Sequence, residues 1–265
     1  MENIEHPPIF HLPGIADHVT YTWLVMILLA AVAFVASRNL QLVPRGAQNA
    51  LEVVLEQFVG FIDDVIGPEG RPYLPLIATL GIFILTANLL GLVPGFNGPT
   101  TNLNTNAACA IIVVLTYHTV GIRKQGLLTY LNHFAGPMPW SLGMAPIKLL
   151  MIPIEFISHL ARPLSLTLRL FGNMFGGHML LSIIFFLMGF DGLLGWALSG
   201  TAIGAVGGGL GTAVVIAFTV GFLYPLKLLV ALLQAFIFIM LTMLYISGAI
   251  EEAEHHGGEP HPAHH

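Results

Sequence analysis

Apolar residues recur in runs longer than a globular core needs, and polar positions interrupt them in two different rhythms. Five runs, at roughly 20–38, 76–95, 106–121, 164–190 and 212–247, are apolar on nearly every side. A hydrocarbon layer about 30 Å thick requires about 20 such residues in a helix. None of the runs alternates at period two, so they predict spanning helices rather than strands. The stretch 46–66, beginning GAQNALEVVLEQFVGFIDDV, follows the second rhythm. There Leu51, Val54, Leu55, Phe58, Phe61 and Ile62 recur at helical spacing, with Glu52, Glu56, Asp63 and Asp64 between them. That pattern predicts an amphipathic helix lying at the membrane interface. Segment 144–163 is mixed: Lys148, Glu155, His159 and Arg162 punctuate apolar turns.

The last two regions lack convincing loops, from Leu142 to Phe190 and from about Ser199 to Ile250. Wholly helical, each would be on the order of 70 Å long, more than a bilayer requires. Either they break, at Pro163, Pro225 or the Gly207–Gly211 cluster, or they run tilted. The favoured reading is a strongly tilted hairpin with proline bends. The glycine cluster lacks the following Lys-Ser/Thr and the preceding strand of a phosphate loop, so close helix packing or a kink is the expectation for it. The fold class is thus all-α and polytopic: about five transmembrane helices plus one interfacial helix, the last two long and tilted.

Composition agrees. The 265 residues are 55% hydrophobic and 9% charged, where a soluble domain carries roughly a quarter charged residues. There is no basic patch for nucleic acid, and the lone cysteine, Cys109, excludes an internal disulfide framework. The start, MENIEHPPIFHLPG, lacks the basic region of a signal peptide, so the first run is expected to be retained. Arg38, Arg45, Arg71, Arg123, Lys124 and Lys148 flank the spans on one side. Placing them in the cytoplasm puts the N-terminus outside and the C-terminus inside. Residues 1–18 become an extracytoplasmic segment and 19–250 one transmembrane domain. Residues 251–265 become a His-rich cytoplasmic tail, read as disordered rather than metal-binding.

Within 164–190 one residue resists the apolar rule. Taking Arg169 as origin, Gly172, Asn173 and Gly176 lie three, four and seven residues on, while Ser165, Arg162, Ser158 and Glu155 continue the stripe backwards. The Gly172/Gly176 pair would let another helix approach closely. In the last run, Lys227, Gln234 and Leu241 are seven apart, near Thr242 and Tyr245. Two polar stripes in neighbouring segments suggest a wetted path. Plainer readings stand beside this one. Lys227 can snorkel to an interface, Asn173 and Gln234 can be interhelical glue, Glu155 and Arg162 can form a surface ion pair, and His159 and His178 can simply pack. Arg169 is harder to dismiss, because a guanidinium at mid-membrane costs at least about 2.5–3.5 kcal/mol. Nothing within a turn of its own segment neutralises it. Its counter-charge is therefore expected on another subunit. At about 4 Å and an effective dielectric near 20 the attraction is about 4 kcal/mol, or roughly three pKa units. Arginine would hold a passing carboxylate ionised without relaying a proton itself.

The segments SLTLRLFGNMFGG and LLQAFIFIMLTMLYI, with TANLLGLVPG and PIEFISHLARPLSLTLRL, closely resemble the subunit a family of F-type ATP synthases. The resemblance implies a stator beside a rotating ring of c subunits, held by the subunit b peripheral stalk in a bacterial plasma membrane. Two offset half-channels would load and unload a carboxylate on each c subunit. It also implies that Arg169 is the indispensable arginine facing that carboxylate and that Asn173 and Gln234 border the uptake half-channel. Glu155 and Asn88 match further polar positions linked to transport, and His178 falls where the family carries Glu or His. Lys227 departs from the pattern, since many relatives have His or Glu there, so a His–carboxylate pair with residue 178 is missing. The resemblance implies no cofactor, no nucleotide site and no enzyme activity in the chain itself, and a proton as the default ion. A secondary transporter also places charges at mid-membrane, but no inverted repeat is evident. An intramembrane metalloprotease would need a His-Glu-x-x-His cluster, which is lacking.

Overall fold

The computed structural model describes residues 14–38, 40–41, 44–93, 96, 98–127, 130, 145–189 and 192–257, with the backbone alone at 145–149, 155 and 252–257. The described residues contain helices and no strand, and five helical stretches are long and apolar enough to cross a membrane. Most of residues 1–18, Lys148's side chain, the Asp191 turn and residues 258–265 fall outside the described residues.

Helix α1, Asp17–Ser37, is apolar all round and buries little beyond Thr20, Tyr21, Val25 and Ala36. Helix α2, Ala47–Val65, is the amphipathic one; it buries Gln48 and Ile62. Gln48 closes on the preceding chain, accepting from the Gln41 N–H and donating to the Gln41 carbonyl, both at 3.0 Å. Gly67, at φ 85°, makes the turn out of this helix with a backbone that favours glycine. A short 3₁₀ segment, Pro68–Tyr73, leads into α3, Leu74–Leu90. Arg71 forks onto Asp63 at 2.9 and 2.8 Å. That hydrogen bond holds the Asp63 carboxyl below the usual carboxylate range. The pair therefore adds stability above that range and loses it as pH falls below it, through the lowered value of the folded state.

Helix α4, Leu103–Gln125, ends on Arg123 and Lys124, the sign a helix C-terminus prefers; Lys124 pairs with Glu69. Helix α5, Ala145–Met188, runs 44 residues with Pro153 and Pro163 inside it. Pro163 does not break it. A proline removes one N–H and crowds one carbonyl, and here the neighbouring turns carry the helix through. The helix also starts well before the apolar run at 164–190, because segment 144–163 joins it.

Helix α6, Leu193–Ala197, precedes α7, Ala202–Phe218, whose first turn is capped by Thr201 accepting from the Gly204 N–H at 3.0 Å. The Gly207–Gly211 cluster packs and does not kink. The Trp196 ring would stand 2.7 Å from a Cβ at Gly207, and the Ala197 backbone 2.5 Å from one at Gly208. Helicity is disturbed instead at Thr219–Leu223, a π-turn leading into α8, Tyr224–Gly257. The Pro225 ring would clash with the carbonyl four residues back, and the wider turn relieves it. Helix α8 continues through Glu251–Gly257, the first part of the tail expected from composition.

The described residues group into two compact units. One draws on the described residues within 14–32, 82–105 and 169–236, the other on those within 33–81, 106–168 and 237–257. In the first, Ile84, Ala87, Leu170, Leu181, Ala231 and Ala235 are buried, and Tyr21 stands edge-on to Phe96 at 5.9 Å. The second has a core of Ile62, Ile77, Tyr117, Val120, Met243, Ile246, Ala249 and Ile250. In it, Ser247 donates to the Val65 carbonyl at 3.2 Å, tying α8 to α2.

Candidate functional site

Helix α5 has two unlike sides. Leu166, Thr167, Leu170 and Leu181 are buried, whereas Ser165, Arg169, Gly172, Asn173 and Gly176 are exposed. A Cβ added at Gly172 or Gly176 would find nothing within 4 Å. Among the described residues Arg169 makes neither hydrogen bond nor ion pair. The helix presents a permanent cation on a bare strip, and no other described helix of the chain uses the glycine pair.

One turn along that strip, the Asn173 Nδ2 donates to Gln234 Oε1 at 2.6 Å. Gln234 is 3% exposed, so α8 holds its amide inside the unit and offers the oxygen outward to Asn173. The preceding turn of α8 is pinned by Asn88, whose Nδ2 donates to the Ala231 carbonyl at 3.3 Å. The Asn88 oxygen accepts from the Thr100 hydroxyl at 2.8 Å. Asn88 is 1% exposed; with both ends of its amide engaged, it fixes the turn that carries Gln234. Three of the residues picked from the sequence therefore meet within one unit. Lys227, half-buried, lays its stem across Gly177, its Cε 2.9 Å from where a Cβ there would stand. Its ammonium makes no hydrogen bond or ion pair among the described residues. Lys227 is thus set against the residue preceding His178, which is itself half-buried. Glu155 stands on α5 on the Arg169 stripe, but its side chain lies outside the described residues.

The other unit holds a polar group of its own. The Tyr117 hydroxyl is 3.2 Å from His159 Nδ1, and the His118 and His159 rings stack at 5.3 Å. His118 Nδ1 also shares a hydrogen bond with the Tyr130 hydroxyl. The Arg162 guanidinium sits over the rings of Tyr117 and Tyr245, at 5.7 and 5.4 Å, a favourable place for a cation. Among the described residues no three His, Cys, Asp or Glu side chains gather as a metal site.

A family model described as ATP synthase A chain matches residues 19–247. The chain belongs to that family. ATP synthase subunit a 1 of Pelobacter propionicus is 46% identical over 243 residues, 90% of this chain and 89% of the relative. Another relative, ATP synthase subunit a 1 of Syntrophotalea carbinolica, is 45% identical over 258 residues, 96% and 91% of the two chains. ATP synthase subunit a of Geobacter sulfurreducens is 45% identical over 243 residues, covering 90% and 89%.

For a member of the ATP synthase A chain family, the sequence is informative about the Arg169 strip and less so about the tyrosines. His159 and Arg162 are noticed there, but only as packing and surface-pair candidates. Tyr117, His118 and Tyr130 are missed. The signal available was the Tyr117–His118 pair inside an otherwise apolar span, which carries little weight until α5 is known to lie beside it.

Proposed function

We propose that this chain is the proton-conducting stator subunit of a rotary ATP synthase. The proton path is formed against a ring of c subunits and the complex is held by subunit b. The observation that carries the reading is the bare strip of α5: a permanent cation without a partner among the described residues, beside Gly172 and Gly176 with open space above them. A lone guanidinium at membrane depth is costly, and an acidic side chain of a neighbouring rotor would relieve that cost once per passage. Opposite Arg169 the carboxylate is kept ionised. On meeting a proton delivered past His178, Asn173 and Gln234 it is neutralised and can enter lipid.

After nearly a full turn the carboxyl releases its proton toward the cytoplasm. Each charge moved is worth about 2.3 kcal/mol per 100 mV, so several must pass for each ATP. Arginine blocks a direct leak because it cannot give up its proton. Asn88 acts through Gln234 by fixing its turn. Lys227 contributes a charge of its own beside Gly177 in place of the family's His or Glu, and Glu155 belongs to the cytoplasmic side. The chain conducts, and the chemistry of ATP belongs to other subunits. The distribution of basic residues supports an N-terminus outside and a C-terminus in the cytoplasm of a bacterial plasma membrane, with residues 19–250 proposed as the membrane domain.

The test is Arg169→Ala in vesicles carrying the whole complex. ATP-driven proton pumping is expected to disappear while the subunit remains assembled. Pumping at the wild-type rate would overturn the reading.

A further inference from the structure

The unit that contains Asn106–Leu168 and Ile237–His265 holds none of the transport residues named above except Glu155, yet it has a half-open cavity with several polar groups in its wall. The cavity has a volume of about 80 Å³ and is lined by Tyr117, Tyr130, His159, Arg162, Tyr245 and Gly248, with apolar neighbours. Liquid water takes about 30 Å³ per molecule, so a small water cluster fits, and the lining supplies the polar partners it needs. We propose that this cavity is a hydrated proton-transfer chamber in which His159 and Tyr117 exchange the proton. The proposal rests on the proton-conducting function above and supplies it with residues on three helices.

The geometry supplies two hydrogen-bonded pairs whose histidine rings stack on each other. Tyr130 and His118 share a hydrogen bond, the His118 ring stacks on His159, and His159 Nδ1 is 3.2 Å from the Tyr117 hydroxyl. A neutral imidazole donates at one nitrogen and accepts at the other, and a phenol does both at one oxygen. In the Nδ1–H tautomer, His159 can take up a proton at Nε2 and release the one on Nδ1 to the Tyr117 oxygen. The Tyr117 hydroxyl proton passes in turn to water in the cavity. One N–H forms and one breaks, one O–H forms and one breaks, and the side chains end with the charge they began with. Water in the cavity that protonates Nδ1 and accepts the Nε2 proton restores the starting tautomer. Arg162 donates only, so it takes no part in the transfer; its guanidinium holds the Tyr117 and Tyr245 rings as one wall of the cavity.

The experiment compares His159→Ala and Tyr117→Phe in the complete complex, reading ATP-driven proton pumping and the amount of assembled subunit. Tyr117→Phe keeps the ring beneath Arg162 and removes the hydroxyl alone. A positioned acid–base group is worth on the order of 10²–10⁴ in rate; cavity water carries part of the traffic, so a fall of about tenfold is expected for each variant at normal assembly. Imidazole in the buffer should restore His159→Ala and leave Tyr117→Phe unchanged, a response that a packing role would not give. Wild-type pumping in either variant, or a His159→Ala defect that imidazole does not relieve, overturns the chamber. Should Arg169→Ala abolish pumping while these variants are silent, the chamber alone fails. Should Arg169→Ala itself be silent, the reading beneath it fails.

Discussion

At the scale of single residues, the sequence locates a charge better than it locates its company. Arg169 stands out because nothing apolar explains a guanidinium in a spanning run, and the helical stripe through Asn173 and Gly176 follows from spacing alone. The hydrogen bond from Asn173 to Gln234 joins positions 61 apart in the chain and becomes visible only when α5 and α8 are both placed. The same holds for Asn88, whose amide is engaged by Ala231 and Thr100. Losing the partner of a buried amide costs about 1–3 kcal/mol. Asn173→Leu, which strands the buried Gln234 amide, is therefore expected to slow pumping by roughly tenfold, about 1.4 kcal/mol. Gln234→Leu is expected to match it through loss of the same bond. Because both act through one bond, the double variant should be no slower than the worse single one. Additive losses in a pumping assay would show that the two amides work separately.

At the scale of the helices, the apolar runs mark where the spans lie, while their ends and continuity depend on turns that hydrophobicity does not register. Pro163 sits inside an unbroken helix, and the Gly207–Gly211 cluster serves packing against α6. The disturbance falls at Thr219–Leu223 because Pro225 lies just beyond it. Local contacts also decide which glycines are indispensable. A Cβ at Gly98 would stand 2.9 Å from the Gly91 Cα and 3.2 Å from the Ala87 carbonyl oxygen, whereas one at Gly172 would meet nothing within 4 Å. Backbone cannot swing aside as a side chain can, and overpacking costs about 1–3 kcal/mol. Gly98→Ala is expected to lower the amount of assembled subunit in membranes, and Gly172→Ala to leave it unchanged. Equal amounts of both variants would contradict the close approach at Gly91.

At the scale of the whole molecule, the long final helices serve both compact units: α5 changes unit at Arg169, and α8 at Ile237. Each unit then carries a polar group of its own, one around Asn173 and Gln234, the other around Tyr117 and His159. Polar residues in both stripes were legible as sequence, but their division between two groups was not, since neither group is contiguous in the chain. The central claim is that the strip bearing Arg169 faces an acidic side chain of a moving neighbour. The lone cysteine, Cys109, is buried and can be replaced by alanine, which leaves a clean background for a cross-link. In that background, a cysteine placed by Gly176→Cys should form a disulfide with one introduced beside the c subunit's carboxylate. Pumping should then stop until a reductant is added. Absence of the cross-link in an assembled complex, or pumping that persists through it, would contradict the account.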